Sequence, residues 1–109
     1  MLMATANVLQ DLEYYLPDKQ STKKIARFFA VFSDCSRLRL LSALAISPLC
    51  VIDVAKILDM NQTTVSHQLK TLRDLGFVDF ERRGKILYYK LTNPKINEIL
   101  LLGVEYLGY

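Results

Sequence analysis

The stretch from Asn61 to Gly76, NQTTVSHQLKTLRDLG, constrains this chain more than any other. Its apolar residues Val65, Leu69, Leu72 and Leu75 stand four, three and three apart, the spacing of one stripe along an amphipathic helix. Asn61 suits the N-cap, where a short side-chain oxygen accepts from free N–H groups of the first turn. Gly76 suits the position just past the end, where a left-handed residue closes many helices. The other face carries Gln62, Thr63, Thr64, Ser66, His67 and Lys70, and no acid appears before Asp74. A plain solvated helix would show the same stripe, so the flanking segments decide what this one is for.

Upstream, residues 51–60 (VIDVAKILDM) read as a short helix with Val54, Ile57 and Leu58 inward and Asp53 as a candidate cap. Ala55 is small where a second helix must cross closely. The turn falls at Asp59–Asn61, and Asp tolerates left-handed geometry better than most residues. A short helix, a tight turn and a capped polar helix make a helix-turn-helix over 51–76. Downstream, FVDFERRGKILYYKL (77–91) reads as two strands, with Val78, Phe80, Ile86, Tyr88 and Tyr89 as strand formers and Arg83-Gly84-Lys85 as the turn. The hairpin gathers Arg82, Arg83 and Lys85 at its tip, as a wing would. In a winged helix, Gln62, Thr63, Thr64, Ser66, His67 and Lys70 would meet base edges and nearby phosphates in a major groove. Arg82, Arg83 and Lys85 would hold the backbone or enter a minor groove.

Four blocks carry a resemblance: VFSDCSRLRLLSAL (31–44), LCVIDVAKIL (49–58), NQTTVSHQLKTLRDLGFV (61–78) and RRGKILYYKL (82–91). Their order and the V-S-H-Q-L-K-T-L-R pattern followed by G-K-x-x-Y-Y-x-L resemble the ArsR/SmtB family of winged-helix repressors. The resemblance implies a dimer built from the end helices. It also implies double-stranded, pseudo-palindromic operator DNA as partner, and release by a small inducer that is often a metal ion. One family metal site uses a Cys-x-Cys pair, and the matching residues here are Cys50 and Ile52. A second uses Asp and His with a further His/Glu pair from the last helices. The matching stretch begins at Asn93 and Lys95, and His67 is the chain's single histidine. One thiolate falls short of the three or four ligands a zinc-type site takes, so we expect no metal site and no cofactor. The inducer stays open. Thiol chemistry at Cys35 or Cys50 is one alternative, although the last helix offers no resolving cysteine.

The bulk numbers bound the rest. With 109 residues the chain is read as one domain, 1–109. It is 51% hydrophobic, rich for so small a domain, so some apolar surface should meet a partner. The last segment, KINEILLLGVEYLGY, shows where. Ile96, Ile99, Leu100, Leu101, Leu102, Val104 and Leu107 leave it apolar nearly all round. A helix of that kind should be buried, and we expect residues 1–20 and 93–109 to form a homodimer. A two-fold dimer would present two recognition helices to half-sites one helical turn apart. The net charge of +3 favours nucleic acid only weakly. Two cysteines, no signal-peptide pattern at the start and no stretch of about 20 apolar residues point to a cytoplasmic protein.

Further helices are expected over 4–16, ended by Pro17; from an N-cap at Ser21 to Phe32, with Ile25, Phe28, Phe29 and Phe32 on one side; and over 36–46, capped by Asp34 or Ser36, with Leu38, Leu41, Leu44 and Ala45 inward. Asn93-Pro94 should start the last one, with Pro in the permitted first position. A protein-only interaction module would show apolar or acidic groups on the outer face of 61–76, and that face has neither. An enzyme would need more than one histidine, a glycine-rich phosphate loop or paired carboxylates. Ser66 and His67 point about 100° apart on a helix and cannot act as nucleophile and base.

Overall fold

A computed structural model describes residues 3–109. The chain divides into two compact units, one ending at Ser33 and the other running Asp34–Tyr109. The first holds α1 (Ala6–Tyr15), α2 (Lys19–Ala30) and a single 3-10 turn, Val31–Ser33. Thr5 caps α1, its hydroxyl accepting from the Val8 N–H at 3.3 Å. Asp18, rather than Ser21, caps α2: its carboxylate accepts from the Ser21 N–H at 2.7 Å. A carboxylate there also faces the positive end of the helix dipole, which a hydroxyl does not exploit. The rings of Phe28, Phe29 and Phe32 meet edge-on or tilted, with centroids 5.2–6.5 Å apart.

The second unit contains α3 (Cys35–Ile46), α4 (Val51–Leu58), α5 (Gln62–Asp74), the antiparallel strands β1 (Val78–Arg83) and β2 (Ile86–Leu91), and α6 (Lys95–Tyr106). This is the expected architecture: mainly helical, with one small hairpin. Asp34 caps α3 through the Arg37 N–H at 2.9 Å, so the helix starts at Cys35. α3 packs against α4, α6 and β2. Being embraced on several sides, it buries Leu40 as well as Leu41 and Leu44, while Leu38 and Ala45 are only half-buried. Leu40, Leu41, Val54, Val65, Leu69, Leu72 and Val78 form the fully buried centre, each contributing about 1.5–3 kcal/mol of transfer free energy.

Two matching helix ends shape the middle of the unit. At the end of α4, Asp59 is left-handed (φ 53°), its N–H donates to the Lys56 carbonyl, and the Met60 N–H reaches back to Ala55 at 2.9 Å. At the end of α5, Gly76 is left-handed (φ 83°), its N–H donates to Arg73 and the Phe77 N–H to Leu72, both at 2.9 Å. Both are Schellman closures, and both reverse the chain sharply. The second one corrects the expected stripe. Leu75 sits at the cap, 53% exposed, and Phe77 just beyond the turn takes the buried place. In α4 the buried residues are Val54, Ala55 and Leu58; Ile57 is 57% exposed, because it lies about 100° round the helix from Leu58.

The hairpin register pairs Val78 with Leu91, Phe80 with Tyr89 and Arg83 with Ile86. Its two-residue turn is Gly84-Lys85, and the positive φ of 64° falls on Gly84, the first turn position, where a type II′ hairpin needs glycine. Leu49 adds one bridge to Tyr89, with hydrogen bonds of 3.0 and 2.8 Å, so the loop before α4 is tied to β2. Thr92 closes the other end, its hydroxyl donating to the Gly76 carbonyl at 2.7 Å.

α6 begins as expected. Pro94 has helical dihedrals (φ −61°, ψ −19°) and the Asn93 side chain accepts from the Lys95 N–H at 2.9 Å. Within one chain only Ile96 of α6 is buried, and Leu101, Leu102, Val104 and the following Leu107 are exposed. Val8, Leu9 and Leu12 of α1 are exposed as well. Among the described residues, no helix is long and apolar enough to cross a membrane.

Candidate nucleic-acid interface

α5 owes its position to its buried stripe, Val65, Leu69 and Leu72. The packing of that stripe turns the opposite face outward, and Gln62, Thr63, Thr64, Ser66, His67 and Lys70 are all exposed on it. Asn61 caps the helix as its residue type predicts, its side-chain oxygen accepting from the Thr63 N–H at 2.8 Å. Thr71 donates its hydroxyl to the His67 backbone carbonyl at 3.0 Å. Among the described residues Lys70 has no ion pair, so its charge is available to an anion.

The hairpin cations fall into two groups. Arg82 and Lys85 are exposed with no ion pair among the described residues. Arg83 is engaged: its Nη2 lies 3.7 Å from Glu81 Oε2, and its guanidinium carbon stands 4.8 Å from the Tyr88 ring centroid. The sequence groups these three cations as equals, while cross-strand geometry separates them, because Glu81, Arg83 and Tyr88 share the outer face of the hairpin.

Reading the sequence alone misses a second cluster, where α5 hands over to β1. Arg73 Nε lies 3.3 Å from Asp79 Oδ1, and the Arg73 guanidinium carbon is 4.1 Å from the centroid of the Phe80 ring. Asp79 Oδ1 also accepts from the Phe80 N–H at 2.8 Å. The only sequence signal was opposite charge at Arg73 and Asp79 on either side of a glycine turn.

The two thiols are separate and unbonded to each other. Cys35 is exposed at the first position of α3. Cys50 is half-buried and is itself the N-cap of α4. Asp53, expected as that cap, lies in the first turn of α4 and instead accepts from the Cys50 Sγ at 3.3 Å. Among the described residues of one chain, no three His, Cys, Asp or Glu side chains converge as a metal site would need.

A capped helix-turn-helix followed by a two-stranded hairpin defines a winged helix-turn-helix protein. The sequence profile described as "Bacterial regulatory protein, arsR family" matches residues 34–79, which are α3 through the start of β1. The cadmium resistance transcriptional regulatory protein CadC of Listeria innocua serovar 6a is 41% identical over 86 residues, covering 78% of this chain and 72% of that protein. The crystal structure of the AntR antimony-specific transcriptional repressor superposes with a TM-score of 0.76 at 33% identity, over 84% of each chain. The homodimeric winged helix-turn-helix DNA-binding domain of Mb0332 from Mycobacterium bovis superposes with a TM-score of 0.72 at 26% identity, over 84% of this chain and 86% of that one. The chain belongs to the arsR family of bacterial regulatory proteins, as its four sequence blocks implied.

Proposed function

We propose that this chain is a sequence-specific DNA-binding transcriptional repressor, working as a homodimer that an inducer releases from its operator. The observation that carries the reading is the outer face of α5. Six polar side chains, Gln62, Thr63, Thr64, Ser66, His67 and Lys70, are exposed there together. The first turn of the same helix presents backbone N–H groups suited to a phosphate. Bases offer donors and acceptors, and this face can answer both. Arg82 and Lys85 contribute phosphate contacts from the wing, and Arg83 does so once it leaves Glu81. A protein-only role would call for apolar or acidic groups on that face.

The dimer reading rests on α1 and α6. Each leaves a run of leucine and valine in water that a single chain does not cover, and the relative from Mycobacterium bovis is described as homodimeric. A two-fold dimer requires two half-sites, so the operator is pseudo-palindromic with half-site centres about one helical turn apart.

Relatives named for cadmium and antimony make a metal or metalloid ion the inducer class to test first. Cys50 and Asp53 bring a thiol and a carboxylate to 3.3 Å, two donors where a site of the zinc type takes three or four. One chain therefore does not complete such a site from its described residues. Thiol oxidation at Cys35, the more exposed sulfur, is the competing route. Footprinting on the chain's own promoter, paired with sedimentation of the complex, tests the core of the proposal. Two protomers on one protected pseudo-palindrome support it; a single protomer on an asymmetric site contradicts the dimer, and no protection contradicts DNA binding. Adding cadmium, antimonite or a peroxide followed by thiol reductant then sorts the inducer classes.

A further inference from the structure

We infer that Arg73 is a positioning residue for DNA binding: it clamps the recognition helix to the wing and does not itself touch phosphate. The inference rests on the DNA-binding reading of α5 and the hairpin. Arg73 stands in the last turn of α5, and its two partners, Asp79 and Phe80, are the second and third residues of β1. The guanidinium lies over the Phe80 ring at 4.1 Å while its Nε meets Asp79 Oδ1 at 3.3 Å. A flat cation over an aromatic face and beside a carboxylate is fixed in two directions at once. Asp79 is fixed in turn by the Phe80 N–H at 2.8 Å. Phe80 also faces Tyr89 across the hairpin, with ring centroids 5.7 Å apart, so the clamp reaches both strands.

What the clamp fixes is the joint between the two DNA-facing elements. Between them the backbone is only Leu75, Gly76 and Phe77, and Gly76 is in the left-handed region. The Schellman closure and the Thr92 hydroxyl set the path of this turn. The Arg73 side chain bridges from the helix surface to the strand surface through charge and ring contacts. A wing held at a fixed angle delivers Arg82 and Lys85 to the backbone without an ordering penalty at the moment of binding. An unclamped wing must be ordered by the DNA itself. Arg73 is also poorly placed as a phosphate ligand, since its charge already faces Asp79, whereas Lys70, one turn earlier, has no such partner among the described residues.

The test separates positioning from charge. Affinity for a fluorescein-labelled duplex of the chain's own promoter is measured by anisotropy from about 50 to about 300 mM salt, for the full chain and its Arg73→Gln, Arg73→Lys, Phe80→Leu and Arg73→Gln/Phe80→Leu variants, with Lys70→Ala as control. Losing a phosphate contact flattens the slope of log affinity against log salt by about 0.9. Arg73→Gln is expected to weaken binding about three- to tenfold, within the span of a coupled pair, and to leave that slope unchanged. Arg73→Lys keeps the charge but not the flat fork, and should recover little of the loss. Phe80→Leu should weaken binding similarly, and the double variant should be no weaker than the weaker single one. A slope that falls by about one with Arg73→Gln would make Arg73 a phosphate ligand and overturn the clamp. So would full rescue by lysine, wild-type binding by Arg73→Gln, or additive losses in the double variant. The Lys70→Ala control keeps the two claims apart: its flattened slope upholds the DNA reading even when the Arg73 variants overturn the clamp. Absence of wild-type binding to the duplex removes the DNA reading itself.

Discussion

Asp59 closes α4 in a conformation that its own residue type resists, and replacing it should change stability in a definite order. Its φ of 53° and ψ of 54° are left-handed, which is disfavoured by about 1–2 kcal/mol for an ordinary L residue and by less for Asp. Its carboxylate also sits at the negative end of the α4 dipole, unfavourable by about 0.3–1 kcal/mol. Asp59→Gly removes both terms and adds about 0.5–1 kcal/mol of backbone entropy in the unfolded chain. The net is a gain of roughly 0.5–1 kcal/mol, or roughly 2–6 °C in Tm at fixed protein concentration. Asp59→Asn removes only the charge and should gain about half as much. Asp59→Val carries the full left-handed penalty on a β-branched residue and should lose at least about 1 kcal/mol. Urea denaturation of the four proteins at one concentration gives the ranking Gly, Asn, Asp, Val. Equal midpoints for Gly and Val would refute the reasoning, because the turn could not then be left-handed at this residue.

Asn61→Ala removes the cap on Thr63 and should cost about 1 kcal/mol in the same urea assay. Glu81→Gln releases Arg83 from its 3.7 Å partner and takes a like charge away from phosphate. DNA affinity should therefore rise about two- to fivefold at low salt, with a steeper salt slope; unchanged affinity would place Arg83 away from DNA. Hydrogen bonds from the Ser21 N–H and hydroxyl and the Gln20 N–H hold the Asp18 carboxyl below its ordinary range. A depressed carboxylate stabilises above the unfolded value and loses that contribution as pH falls through the folded one. So α2 should fray at its first turn only below the usual aspartate range, and an NMR titration of the Asp18 carboxyl carbon checks this.

What could be read in advance was local chemistry. Asn61, Gly76 and Gly84 each occupy a position whose dihedrals or cap bond their own residue type favours, and Asp59 one that its type resists less than most, so turns and helix starts were legible one residue at a time. The edges of buried faces were not. Leu75 and Ile57 fit a helical stripe, yet which side of the stripe meets a neighbour depends on where Phe77 and Ala55 pack. Leu40 was missed because α3 is covered from several directions, which periodicity on one helix cannot convey. The exposed face of α5 was legible because a buried Val65–Leu69–Leu72 stripe leaves its polar residues one place to go. The Arg73–Asp79–Phe80 clamp and the capture of Arg83 by Glu81 and Tyr88 needed coordinates. They join residues across a turn or across strands, where spacing in sequence carries no geometric sign.

The most direct test of the central claim is the salt dependence of binding to the chain's own promoter duplex, compared with a scrambled duplex of equal length, for wild type and Lys70→Ala. Wild type should prefer the promoter by at least about a thousandfold, with a slope that Lys70→Ala flattens by about one. Equal binding to both duplexes, or a Lys70→Ala slope identical to wild type, would contradict the placement of α5 on DNA.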